Sequence, residues 1–156
     1  SKTGSTAAGA QAMKDQLEAW GIPVDGHVFA DGSGLSEQDR VSCLTLVRVL
    51  AHEGADSPMF DGMAIAGQSG TLKSLLKGTP AEGQMRAKTG TLKLTRALSG
   101  YFPAKNGATI EFSFIVNGNR AKVRAESLWD DLARGFATYP SGAAPKDLGP
   151  LPVETT

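Results

Sequence analysis

Apolar positions recur with two different periods along this chain, and the change of period divides it. Residues 5–20 follow the helical period: Ala10, Met13, Leu17 and Trp20 fall at i, i+3, i+7 and i+10 and make one apolar stripe. Ser5 or Thr6 is placed to cap this helix, Gly21 stops it, and Pro23 follows. His27-Val28-Phe29-Ala30 reads as a short strand and Asp31-Gly32-Ser33-Gly34 as a tight turn. Ser42 is positioned to cap a second helix over about 43–53, closed by Gly54. Its β-branched content would also suit a strand, but its length and the glycine stop favour helix. Residues 55–83 are rich in turn formers, with a short helix expected near Gly70–Lys77 and ended by Gly78 and Pro80.

From Gln84 the period is two. Met85–Leu94, Ala97–Phe102 and 108–117 are predicted strands. In the last of these Ile110, Phe112, Phe114 and Val116 share one face, against Thr109, Glu111 and Ser113 on the other. Asn106-Gly107 predicts a two-residue hairpin turn. Gly118-Asn119 ends the strand, and residues 121–138 return to the helical period with Val123, Leu128, Trp129, Leu132 and Phe136 as the expected buried face. The organisation expected is one unit over 1–139 and an irregular tail over 140–156. Its fold class is α+β, an antiparallel sheet packed with helices. Three strands with a wide apolar face are few for such a sheet, so it is expected to be incomplete.

Composition narrows the function classes. Hydrophobic residues make up 40% of the 156, enough for a core. Lys+Arg and Asp+Glu are both 16, so nothing points to nucleic acid or an anionic membrane as partner. No apolar run reaches the roughly 18 residues that span a bilayer, and no signal peptide is visible. Cys43 is the single cysteine, which excludes an internal disulfide and a multi-cysteine metal site; it reads as a core residue of its helix. His27 and His52 have no Cys, His or carboxylate at metal-ligand spacing, and no metal or cofactor is expected. The chain starts at Ser1, which reads as a processed product or a fragment of a longer chain.

The chemistry concentrates in one stretch, Arg86-Ala-Lys-Thr-Gly-Thr-Leu92. A Lys-Thr-Gly triplet alone says little, and the copy at Lys2-Thr3-Gly4 precedes a helix cap at the chain start. Lys88-Thr89-Gly90-Thr91 instead lies within a predicted strand followed by two more strands and a helix. That context suits the edge of an acyl-transfer site. Lys88 supplies fixed positive charge and Thr89 a hydroxyl to a substrate carboxylate. Gly90 lets a substrate backbone lie against the strand, and the Thr91 amide can point at a developing oxyanion. Arg86 shares the Lys88 side by alternation.

Read in order, "DGSGLS" (31–36), "RVS" (40–42), "AGQSGTL" (66–72), "AKTGTL" (87–92) and "LSGY" (98–101) resemble the C-terminal part of the catalytic domain of the penicillin-binding-protein-4 type of D-alanyl-D-alanine carboxypeptidase/endopeptidase. The resemblance covers about residues 4–138. It implies part of a β-lactamase/transpeptidase-like domain in a serine acyl-transfer enzyme. Such an enzyme trims or cleaves peptidoglycan stem peptides outside the cytoplasmic membrane, periplasmic or cell-wall associated, and is acylated by β-lactams. The family uses three motifs, Ser-x-x-Lys, Ser-x-Asn and Lys-Thr-Gly. The resemblance also implies substrate contact at Ser33, against simple turn chemistry there. It implies a carboxylate-holding Arg after "SGLS", where this chain has Glu37, with Arg40 three residues on as a substitute.

Two of the three motifs are not found. No Ser-x-Asn occurs, and the one Ser-x-x-Lys, Ser74-Leu-Leu-Lys77, stands 14 residues before Lys88, in the wrong order for the family. It reads as a solvated helix segment. The expectation is therefore the third motif and its scaffold, inactive alone because nucleophile and base lie elsewhere. An N-terminal piece of the same protein, held as a separate chain, is one partner this implies. The alternative is a non-catalytic module on the same scaffold that binds cell-wall peptide or a protein partner. An unrelated α+β domain matching by chance is a third reading, which the ordered set of segments argues against.

Overall fold

The computed structural model describes residues 4–142. Lys2 and Thr3 of the opening triplet, and the tail beyond Gly142, lie outside the described residues. Four helices and four strands follow in the order α1 (Thr6–Ala19), α2 (Cys43–Glu53), α3 (Pro58–Gly62), β1 (Ala64–Ile65), β2 (Arg86–Thr91), β3 (Thr95–Pro103), β4 (Thr109–Asn117) and α4 (Ala121–Phe136). The strands form one antiparallel sheet in the order β1-β2-β3-β4.

The caps explain the first helices. The Ser5 hydroxyl accepts from the Ala8 amide, and the Ser42 hydroxyl from the Thr45 amide at 3.1 Å, satisfying amides that a helix start leaves unpaired. Gly54 closes α2 at φ +78, a conformation only glycine adopts freely. On α1 the stripe Ala10, Met13, Leu17 and Trp20 is half-buried and its other faces are exposed. Trp20 stacks on His52 of α2 with ring centroids 4.2 Å apart.

The sheet has two covered faces. On one, Leu98, Phe102 and Phe112 meet Trp129, Ala125 and Ala133 of α4, together with Leu72, Met85 and Ala87. Ile110, Phe114 and Val116 pack against this cluster, as their shared parity predicts. On the other, the buried Tyr101 donates its hydroxyl to the Leu50 carbonyl of α2 at 2.9 Å. Burial and the nearby Glu111 and Glu53 push the Tyr101 phenol above its ordinary value, against an opposing hydrogen bond with Ser57.

Several expectations are corrected. Only one backbone bridge, Val28 to Arg40, stands where a short strand over 27–30 was expected. Residues 70–77 form a 3₁₀ turn at Gly70–Leu72 and then irregular turns, because Leu76 adopts φ +62 and breaks the helical path. The β3–β4 loop is longer than a two-residue turn. Ala104 N donates to Ala108 O at 2.8 Å and Gly107 N to Ala104 O at 3.1 Å, with Gly107 at φ +82, the three-residue hairpin with a glycine bulge. On α4 the buried row is Ala121, Ala125, Trp129 and Ala133. Val123 is 78% exposed and Leu128 39%. Alanines at i, i+4 spacing let the helix axis approach the sheet, so the small residues are the ones that turn inward. Cys43 is half-buried, a less enclosed place than the core expected of it. β1, two residues long, carries too little pattern to be read from sequence.

Candidate active-site edge on strand β2

β2 is positioned by its fit to β3. Ala87 lies directly opposite Gly100, and a Cβ on Gly100 would stand 2.1 Å from Arg86 O and 2.6 Å from Ala87 Cα. Only glycine allows this approach, which explains the "SGY" step.

The register decides which backbone groups are available. Leu92 and Thr95 exchange backbone hydrogen bonds at 3.0 and 3.4 Å, so Leu92, Gly90 and Lys88 direct theirs at β3. The alternate residues point outward; on that side Met85 O accepts from Ala66 N at 3.0 Å. β1 pairs only with Arg86 and Ala87. Thr89 and Thr91 therefore carry outward N–H and C=O groups with no strand laid over them.

The side chains divide between the faces. Lys88 and Gly90 share a face with Ser99 and Ala97, their partners in β3. The exposed Lys88 ammonium donates to Thr89 O at 2.8 Å. Among the described residues it forms no ion pair. The row continues through Ser99 and Ser113, whose hydroxyls are 2.8 Å apart. A Cβ on Gly90 would come within 3.1 Å of the Ala97 methyl, a crowding that glycine avoids. Thr89 lies on the opposite face and donates to the Thr71 hydroxyl at 2.8 Å. Arg86 stacks over Phe60, 4.9 Å from the ring centroid, and donates to Asp61 O. It braces α3 and is not a free cation beside Lys88.

The residues Ser33, Glu37 and Arg40 form a separate cluster, and among the described residues no hydrogen bond joins it to β2. Asp31 Oδ1 accepts from Ser33 N and Gly34 N, both at 2.7 Å, and from the Ser33 hydroxyl. Partial desolvation pushes this carboxyl up, but the donors from Gly34, Ser33 and Ser36 outweigh it and hold it below the ordinary 3.8. The Ser33 hydroxyl also accepts from Leu35 N, so most of its bonding capacity goes to the turn. Arg40 Nη1 donates to the carbonyls of Glu37 and Asp39 at 2.8 and 2.7 Å. Glu37 is exposed.

Ser74 and Lys77 border a cavity of about 170 Å³ with Glu126, Trp129 and Asp130 of α4; no residue of β2 lines it. Among the described residues no group of three or more His, Cys, Asp or Glu side chains comes together to hold a metal. No described helix is long and apolar enough to cross a membrane. Thr71 is the residue that reading the sequence for catalytic motifs passes over. It stands in the "AGQSGTL" segment, and only the fold brings it to Thr89.

An antiparallel sheet with helices on both faces and a Lys-Thr-Gly strand open along its outer edge is the arrangement that comparison with known proteins places in a family. Residues 1–144 match the D-Ala-D-Ala carboxypeptidase 3 (S13) family, and the chain belongs to that family. It is 34% identical over 152 residues to the D-alanyl-D-alanine carboxypeptidase of Actinomadura sp. strain R39, covering 92% of this chain and 28% of that protein. It is 38% identical over 115 residues to the carboxypeptidase DacB of Mycolicibacterium smegmatis, covering 68% of this chain and 25% of that protein. The chain thus spans little more than a quarter of these relatives. Among solved structures it superposes on penicillin-binding protein 4 of Haemophilus influenzae, complexed with a β-lactam. The TM-score is 0.70 at 27% identity, over 85% of this chain and 35% of that one.

Proposed function

We propose that this chain carries the oxyanion-side edge of a serine D-Ala-D-Ala carboxypeptidase/endopeptidase, which acts on peptidoglycan stem peptides outside the cytoplasmic membrane and is acylated by β-lactams. The observation that carries this reading is the open outer edge of β2, where the backbone groups of Thr89 and Thr91 face out beside the Lys-Thr-Gly side chains. A substrate peptide can add to such an edge as an extended strand, fixed by main-chain hydrogen bonds. Lys88 and Thr89 then hold the terminal carboxylate. Gly90 leaves room on its face, and the Thr91 amide donates to the oxyanion that develops when a serine attacks the carbonyl. The serine and its base come from outside this chain, in the longer protein.

The test is labelling by a fluorescent penicillin. In the longer protein Lys88→Ala should slow acylation by about 10²–10³, the usual loss when a transition-state charge contact is removed. Unchanged acylation would refute the role of Lys88.

The substrate side chain is the second part of this reading. Glu37 puts an exposed negative charge on the "SGLS" loop, and Arg40 is engaged with the loop's own carbonyls. This combination disfavours a stem peptide with a free side-chain carboxylate and favours an amidated or cationic one. Turnover of acidic and amidated stem peptides by the longer protein should differ in favour of the amidated form, and equal rates would sink the idea.

A further inference from the structure

We infer that Thr71 is a positioning residue for the carboxylate-binding hydroxyl of Thr89, and so sets the preference for ligands that end in a free carboxylate. The inference rests on the carboxylate-binding role proposed above for Lys88 and Thr89.

Thr71 is mounted on a short, anchored turn. It sits in the 3₁₀ turn Gly70–Leu72, between Gly70 at φ +50 and Leu72, which is fully buried. A Cβ on Gly70 would come within 3.0 Å of the Ala64 side chain, so the turn is pressed against β1. The Ser69 hydroxyl accepts from Ile65 N at 2.8 Å, and Gly67 N donates to Leu72 O at 3.0 Å. The turn is therefore anchored on both sides, and the Thr71 hydroxyl is held at a fixed point beside the edge of β2.

The hydroxyl chemistry follows from that placement. Each hydroxyl has one proton and two lone pairs. With no ligand present, the Thr89 proton goes to Thr71 Oγ1, 2.8 Å away. A carboxylate is a stronger acceptor than a neutral hydroxyl. When one arrives, Thr89 turns its proton to the carboxylate and Thr71 donates its own proton to Thr89. The contact keeps Thr89 in one rotamer and strengthens it as a donor through the two-member chain. A ligand with an ester or amide in place of the carboxylate gains little from this arrangement.

The experiment uses the longer protein that contains this chain. Second-order acylation rates are measured with benzylpenicillin and with its methyl ester, for the wild type and for Thr71→Val, Thr71→Ser, Thr89→Val and Lys88→Ala. Thr71→Val keeps the shape at an exposed position and removes only the hydroxyl. It should slow the free acid about tenfold, one charge-assisted hydrogen bond's worth, and change the ester less than about twofold. Thr71→Ser should restore the free-acid rate, and the melting temperatures of both variants should match the wild type. Equal slowing of acid and ester by Thr71→Val, or no slowing of either while Thr89→Val does slow the acid, overturns the inference and leaves the proposed function standing. If Lys88→Ala and Thr89→Val both leave the free-acid rate unchanged, the carboxylate-binding reading fails and this inference fails with it.

Discussion

At the scale of single residues, two positions show how little room the sheet leaves. Gly100 faces Ala87 across a close-paired site, and any side chain there meets β2 backbone. Gly100→Ala should destabilise the fold by about 3 kcal/mol, the upper end of overpacking costs. It should also displace the Lys-Thr-Gly edge, so acylation of the longer protein falls along with its melting temperature. A melting curve and a penicillin-labelling rate on the same preparation check both. Tyr101 is fixed from two sides, by its hydroxyl on Leu50 O and by an edge-on Phe60 ring 5.2 Å away. That ring in turn receives Arg86. Arg86, two residues before Lys88 on β2, is thus structural, and Lys88 is left as the exposed charge on that strand.

At the scale of elements, α2 is the helix whose identity the sequence left closest to balance. Its β-branched residues suit either state, and the cap decides. The Ser42 hydroxyl satisfies the Thr45 amide and bonds the Thr45 hydroxyl at 2.9 Å, and that hydroxyl meets His27 Nε2 at 2.8 Å. Ser42→Ala should cost about 1 kcal/mol, read as a lower denaturant midpoint with an unchanged slope. α4 shows the opposite case. Its helical period was legible and Trp129, Leu132 and Phe136 of the expected face do pack on the core, but Val123 and Leu128 point outward and the alanine row points in. A periodic pattern gives the angle between apolar residues; it does not tell which side of the helix meets the sheet.

At the scale of the whole molecule, the described residues form a sheet with helices on both its faces, and β1 leaves the outer edge of β2 open beyond Ala87. Residues 1–156 alone should form no penicillin adduct by intact mass, whereas the longer protein should. An adduct on Ser74 of the isolated chain would give Ser74-Leu-Leu-Lys77 the nucleophile role, despite its place beside α4 and away from β2. The sequence by itself determined the helix caps, the strand parity of 109–117, and the order of segments that marks the family. These are local matters of period, capping and turn chemistry, which act within a few residues. The four residues of the candidate site were legible for the same reason, since Lys88-Thr89-Gly90-Thr91 is contiguous. Only the tertiary structure decided that β1 stops at the register of Ala87, that Thr91 faces an open edge, and that Thr71 meets Thr89 across 18 positions. Those facts depend on pairing between distant segments, where side-chain packing and the close approach at Gly100 set the register.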